Sequence, residues 1–231
     1  MKTAGLLGGM SWESTVPYYR IINRVVGETL GGLHSAKMVV YSVDFQEIEH
    51  LQHAGRWTEA GEILVAAGRA VERAGADFLV LCTNTMHKVA AQLEAAVDLP
   101  LLHIADATAA RVRAAGMKRV GLLGTKFTME EDFYRGRLER GHGLEVLVPG
   151  REQRETVHRV IYEELCRGRV LDESRRRYQR IVRDLIGQGA AGVILGCTEI
   201  GLLLGPADAE VPLFDTAQIH AEEAARYCLA T

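Results

Sequence analysis

Four short blocks of this sequence occur twice, in the same order and at a nearly constant spacing of about 115 residues. Gly5-Leu-Leu-Gly8 returns as Gly121-Leu-Leu-Gly124, and Ala74-Gly-Ala-Asp77 as Gln188-Gly-Ala-Ala191. Leu81-Cys-Thr-Asn-Thr85 returns as Leu195-Gly-Cys-Thr-Glu199, and Leu99-Pro-Leu101 as Val211-Pro-Leu213. Any chain of alternating strands and helices repeats strand–turn patterns, but four blocks in order with a slowly drifting offset favour duplication. The chain is therefore expected to build one half twice.

The type of half follows from what lies between the blocks. Short apolar runs fall at Thr3–Leu7, Lys37–Tyr41, Phe78–Cys82, Leu101–Ile104, Arg119–Leu123, Leu144–Val148, Gly192–Leu195 and Leu213–Phe214. Amphipathic stretches such as Glu59–Ala74, His87–Val97 and Glu173–Ile186 separate them. Strands alternating with helices predict an α/β fold of parallel sheets covered on both faces. The expectation is two pseudo-symmetric, Rossmann-like half-domains with the active site in the cleft between them. No Pro/Gly/Ser-rich linker divides the halves, so the boundary is set near Ile104–Asp106. Residues 1–104 with 211–231 are assigned to the first half and 105–210 to the second, the last strand and helix returning to the first.

Composition excludes several partners. The 231 residues carry a formal charge of −3, with 48% apolar and 25% charged residues, ordinary values for a globular chain. No basic stripe predicts nucleic-acid binding. The densest basic run, Arg175-Arg-Arg177, follows Asp172 and Glu173 in a helical pattern and is read as a solvated face. No apolar run is long enough to span a membrane, and the first residues do not form a signal peptide. Cys82, Cys166, Cys197 and Cys228 lie far apart, with no C-x-x-C pair. That is neither a disulfide framework nor a zinc site, and it predicts a reducing, cytoplasmic location.

Ligands of open α/β sheets bind beyond the carboxyl ends of the strands. Four loops fall there: Gly8-Gly-Met-Ser-Trp-Glu-Ser14, Thr83-Asn-Thr-Met-His87, Gly124-Thr-Lys-Phe-Thr128 and Cys197-Thr-Glu-Ile200. Each opens a helical pattern, whose free N–H groups suit a carboxylate. Helix capping is the alternative role of their Ser, Thr and Asn residues, and Thr128-Met-Glu-Glu131 fits a capping box. The glycine-rich first loop matches neither phosphate-binding glycine pattern. The offset that aligns Leu81 with Leu195 brings Thr83 onto Cys197. Two such residues on opposite sides of a bound amino acid could remove an α-proton from one face and return one to the other. At a helix amino terminus Cys197 is expected to have a depressed pKa and to serve as a thiolate base. Cys82, one position before Thr83, reads as a buried packing thiol, and Cys166 and Cys228 as packing residues. His50, His53 and His87 read as polar or surface residues, with no third ligand to suggest a metal.

Gly8-Gly-Met-Ser-Trp-Glu-Ser-Thr15, Cys82-Thr-Asn-Thr-Met-His87 and Gly196-Cys-Thr-Glu199, in this order and spacing, resemble the aspartate/glutamate racemase family. The resemblance is closest to the bacterial L-aspartate/glutamate-specific subgroup, which includes broad-specificity amino acid racemases. It implies a homodimer that works without pyridoxal phosphate, metal or other cofactor on a small amino acid substrate. It assigns catalysis to Thr83 and Cys197, and substrate binding to Met10, Gln52, Asn84, Thr85, Thr125, Thr198 and Glu199. Family members with two catalytic cysteines carry one where this chain has Thr83. A hydroxyl passes a proton on more readily than it removes one, so unequal action on the two enantiomers is expected, the L-enantiomer being accepted. The arginine and lysine that two-cysteine aspartate racemases carry are not matched in Val43-Asp-Phe-Gln-Glu-Ile48 or Glu163-Glu-Leu-Cys-Arg167. Two other readings remain open here: an arylmalonate-type decarboxylase with a single catalytic cysteine, and a non-catalytic amino acid binding protein.

Overall fold

The computed structural model describes residues 1–230. The chain divides into two compact units, Met1–His103 with the terminal segment from His220, and Ile104–Ile219. The first contains β1 (Ala4–Gly8), α1 (Trp12–Leu30), β2 (Met38–Ser42), α2 (Phe45–His53), α3 (Trp57–Arg73), β3 (Phe78–Leu81), a 3₁₀ turn at Thr85–Val89, α4 (Ala90–Glu94) and β4 (Leu101–Leu102). The second contains α5 (Ile104–Ala114), β5 (Arg119–Gly124), α6 (Lys126–Glu130), α7 (Asp132–Gly136), β6 (Glu145–Leu147), α8 (Arg151–Glu163), α9 (Asp172–Gly187), β7 (Val193–Gly196), α10 (Ile200–Leu203) and β8 (Leu213–Asp215). The last helix, α11 (Thr216–Leu229), begins in the second unit and ends in the first.

Each unit holds a four-stranded parallel sheet with the same order, β2-β1-β3-β4 in one and β6-β5-β7-β8 in the other. The duplicated blocks take equivalent places. Gly5 and Gly121 both lie on the central strand under a helix. A Cβ on Gly5 would stand 2.2 Å from Val71 Cγ1 of α3, and one on Gly121 2.9 Å from Leu185 Cδ1 of α9. The missing side chain thus lets a helix settle onto the strand in each half. α3 buries Ala60, Leu64, Ala67 and Val71, and α9 buries Tyr178, Ile181, Val182 and Leu185, all at helical spacing. Each of the Leu, Ile and Val side chains among them contributes about 1.5–3 kcal/mol through burial.

Three expectations need correction. Val211 onward does not return to the first half as a strand and helix together. β8 pairs with β7, Leu213 opposite Val193, and the division falls inside α11. The parallel ladder completes the second sheet in the way β4 completes the first. The helix expected over His87–Val97 is a 3₁₀ turn followed by the single-turn α4. The capping box at Thr128 does not form either. Thr125 caps α6 one turn earlier, its Oγ1 accepting from Thr128 N at 3.3 Å.

Arg175 pairs with Asp208 at 3.3 Å, and Arg177 with Glu173, so the basic run is a charged face laced with carboxylates. No described helix is long and apolar enough to cross a membrane.

Candidate active site

In the first unit, the loops after β1 and β3 and the end of α2 meet in one buried region. The β1 loop is shaped by Thr15, whose hydroxyl accepts from Gly9 N at 2.9 Å and donates to Ser11 O at 3.0 Å. Gly9 has φ +91°, a conformation that glycine alone adopts without strain. Met10 and Met86 belong to the same apolar cluster. Gln52, buried on α2, donates from Nε2 to Met86 Sδ at 3.1 Å. Met10, Gln52, Thr83, Asn84 and Thr85 are all buried.

The main chain of Thr83 is held at both ends. Its N–H donates to Leu81 O at 2.8 Å, and its carbonyl accepts from His87 Nδ1 at 2.7 Å. That bond defines His87 as the tautomer, or cation, with a proton on Nδ1. His87 is itself buried and lies against His103, ring centroids 4.3 Å apart. Beyond it stands His220, 6.2 Å from His87, with Nε2 on Leu102 O at 2.8 Å and Nδ1 on Tyr18 Oη at 2.9 Å. Burial lowers the His220 pKa from 6.5 to about 4, against a smaller opposing effect of the Leu102 carbonyl. Of the two positions expected for His87, surface or polar, burial excludes the surface one, and the bond to Thr83 fits the polar one. Sequence reading missed His103, His220 and Tyr18, which come from distant segments and carry no local signal. His50 and His53 are exposed on α2.

In the second unit, Thr125, Cys197, Thr198 and Glu199 are buried. Cys197 Sγ donates to Glu199 Oε2 at 2.9 Å, and Thr198 Oγ1 donates to the same oxygen at 2.8 Å. The strand below is fixed by Thr216, whose hydroxyl donates to Leu195 O at 2.7 Å. Here the depressed pKa expected for Cys197 is corrected. Burial raises it well above the usual thiol value, and the Glu199 charge raises it further. α10 begins only at Ile200 and has four residues, too few for a substantial dipole, and the carboxylate beside the sulfur opposes it. Cys166, read from the sequence as a packing residue, also lies beside Glu199; burial and that carboxylate keep it protonated. Cys82 is fully buried and its thiol is raised by burial, as suits an inert packing residue.

Chemically, the second-unit loop joins a nucleophilic sulfur to a proton acceptor within hydrogen-bond reach. The first-unit loop presents a threonine whose backbone is clamped. Among the described residues, no three His, Cys, Asp or Glu side chains are arranged to hold a metal ion.

The chain is similar to several known proteins. Residues 7–224 match the family model described as Asp/Glu/hydantoin racemase. The chain is 24% identical over 218 residues to the broad-specificity amino-acid racemase RacX of Bacillus subtilis (strain 168), covering 92% of each. It is 56% identical to a Yersinia pestis protein of known structure proposed as an Asp/Glu racemase, with a TM-score of 0.92 and full coverage of both chains. An aspartate racemase homologue from Pyrococcus horikoshii OT3 superposes with a TM-score of 0.85 at 36% identity, again over both whole chains.

Proposed function

The chain belongs to the Asp/Glu/hydantoin racemase family and is an amino acid racemase; from that premise we propose that Cys197 exchanges the α-proton of its substrate with the help of Glu199. The observation that carries this reading is the buried Cys197 Sγ–H to Glu199 Oε2 hydrogen bond of 2.9 Å. The resting thiol is protonated. Its proton moves along that bond to the carboxylate, and the thiolate then takes the α-hydrogen from one face of the amino acid. Because its pKa is high, the thiolate is scarce but strongly basic, and a weakly acidic C–H bond demands that basicity. The enolate's charge is met by loop N–H groups and hydroxyls. Thr83 is assigned to the opposite face, where its hydroxyl gives its proton to Cα as it takes one from solvent water, and Glu199 returns its proton to solvent, so that the hydroxyl, the thiol and the carboxylate all end as they began.

The substrates proposed are L-aspartate and L-glutamate, or a broader set of amino acids, with Met10, Gln52, Asn84, Thr85, Thr125, Thr198 and Glu199 forming the surroundings. Gln52 and Met10 act through packing beneath the loops, since both are buried in the apolar cluster or bonded to it. Glu199 has the role of proton acceptor rather than of a simple substrate contact. The reaction proceeds without a cofactor. The proposal includes a cytoplasmic location, in keeping with four free thiols. It also includes a homodimer, supported by the exposed Trp12, Val16 and Tyr19 at helical spacing on α1.

The test is deuterium exchange at Cα in D₂O against a panel of both enantiomers. The wild type is expected to exchange at least one L-amino acid, and Cys197→Ala to lose exchange by about 10³-fold or more. A wild type no faster than Cys197→Ala would sink the racemase mechanism. Release of CO₂ from substituted malonates in its place would select a decarboxylase. Sedimentation at the mass of a single chain would remove the dimer.

A further inference from the structure

We propose that His87 is a positioning residue for Thr83, holding the main chain of the first-unit loop so that the threonine hydroxyl keeps one direction. This rests on the racemase reading and deepens it, because it names what aims the weaker of the two proton-transfer groups.

A cysteine can be aimed loosely and still react, since its sulfur is large and polarisable. A threonine hydroxyl is small, β-branched and stiff at χ1, so its direction follows the backbone at its own residue. At Thr83 the backbone is pinned by two short bonds: N–H to Leu81 O at 2.8 Å and C=O from His87 Nδ1 at 2.7 Å. The first closes a three-residue turn just past the end of β3. The second comes from a side chain four residues on, in the 3₁₀ turn, and sets where the peptide plane after Thr83 points.

A donor can position only if it is itself held. The His87 ring packs on His103 at 4.3 Å and stands 6.2 Å from His220. His220 is locked by Leu102 O and Tyr18 Oη, which ties the set to β4 and α1. The next residue, Lys88, lies over the Trp57 ring at 3.9 Å, fixing the same turn to α3. The buried carbonyl of Thr83 would lose its side-chain donor without His87, a cost that the loop would relieve by turning.

The experiment measures α-deuterium exchange of the L- and D-forms of one accepted amino acid for wild type, Thr83→Ala, His87→Ala and His87→Asn. Asparagine puts an N–H near the position of Nδ1. His87→Ala should shift the ratio of the two exchange rates by about tenfold, in the direction Thr83→Ala shifts it, with KM changed less than kcat. His87→Asn should restore most of the ratio, and Thr83→Ala with His87→Ala together should match Thr83→Ala alone. If His87→Ala slows both enantiomers equally, or if asparagine recovers nothing, the positioning role is wrong. Should the alanine variant not fold, His87→Asn against His87→Gln decides. Glutamine reaches the Nε2 position, so equal ratios in the two would overturn the proposal. A wild type with no exchange at all would instead sink the racemase reading, and this inference with it.

Discussion

Glu199 collects the protons of two neighbours on a single oxygen, from Cys197 and from Thr198. The pKa of Cys197 is raised first by burial and then by the Glu199 charge. These facts separate two properties that usually move together in a cysteine enzyme. In Glu199→Gln the charge is gone, so the thiol ionises more easily and iodoacetamide should alkylate Cys197 faster at a fixed pH. The proton acceptor is gone as well, so isotope exchange should fall by about 10²-fold. Alkylation and exchange rates rising together would show that Glu199 only suppresses the thiol.

At the scale of elements, one device is used twice. Gly5 and Gly121 clear the path of α3 and α9 onto the central strands, but not equally. A Cβ on Gly121 meets two side-chain methyls at 2.9 and 3.3 Å, whereas on Gly5 it meets Val71 Cγ1 at 2.2 Å and the Phe78 backbone carbonyl at 3.1 Å. Side chains shift more cheaply than a paired strand. Gly121→Ala should therefore destabilise by about 1–3 kcal/mol, and Gly5→Ala by more, read from urea midpoints. Equal midpoints would mean that helix–strand spacing is not set by these glycines. The loops show the opposite economy. The 3₁₀ turn at Thr85–Val89 holds few internal bonds, so the side chains of His87 and Gln52 take over its fixing.

For the whole molecule, His220 couples stability to pH. It lies in the part of α11 that completes the first unit, between Tyr18 and Leu102. Its pKa is 6.5 as an ordinary histidine and about 4 when folded. The unfolded chain therefore binds a proton that the folded chain refuses. The stability contributed by the neutral ring is complete above pH 6.5 and is lost as pH falls toward 4. Between about pH 8 and pH 5 the loss should be about 2 kcal/mol, and His220→Asn should flatten it. Urea denaturation at the two pH values measures this, and an unchanged slope in the variant would acquit His220.

The sequence by itself determined the two-fold repetition, the eight parallel strands and the loops that carry Thr83 and Cys197. Periodicity and repeated blocks are local signals, and β strands and glycines at close approaches write them plainly into the chain. Only the tertiary structure decided the charge state of Cys197, because burial and the carboxylate beside it outweigh one turn of helix. Only it showed where β8 pairs and where α11 divides, since those depend on a ladder with residues far away in sequence. The buried set of Tyr18, His87, His103 and His220 was likewise invisible in the sequence. Its members come from distant segments, and a histidine carries no mark of whether water or another ring will be its neighbour.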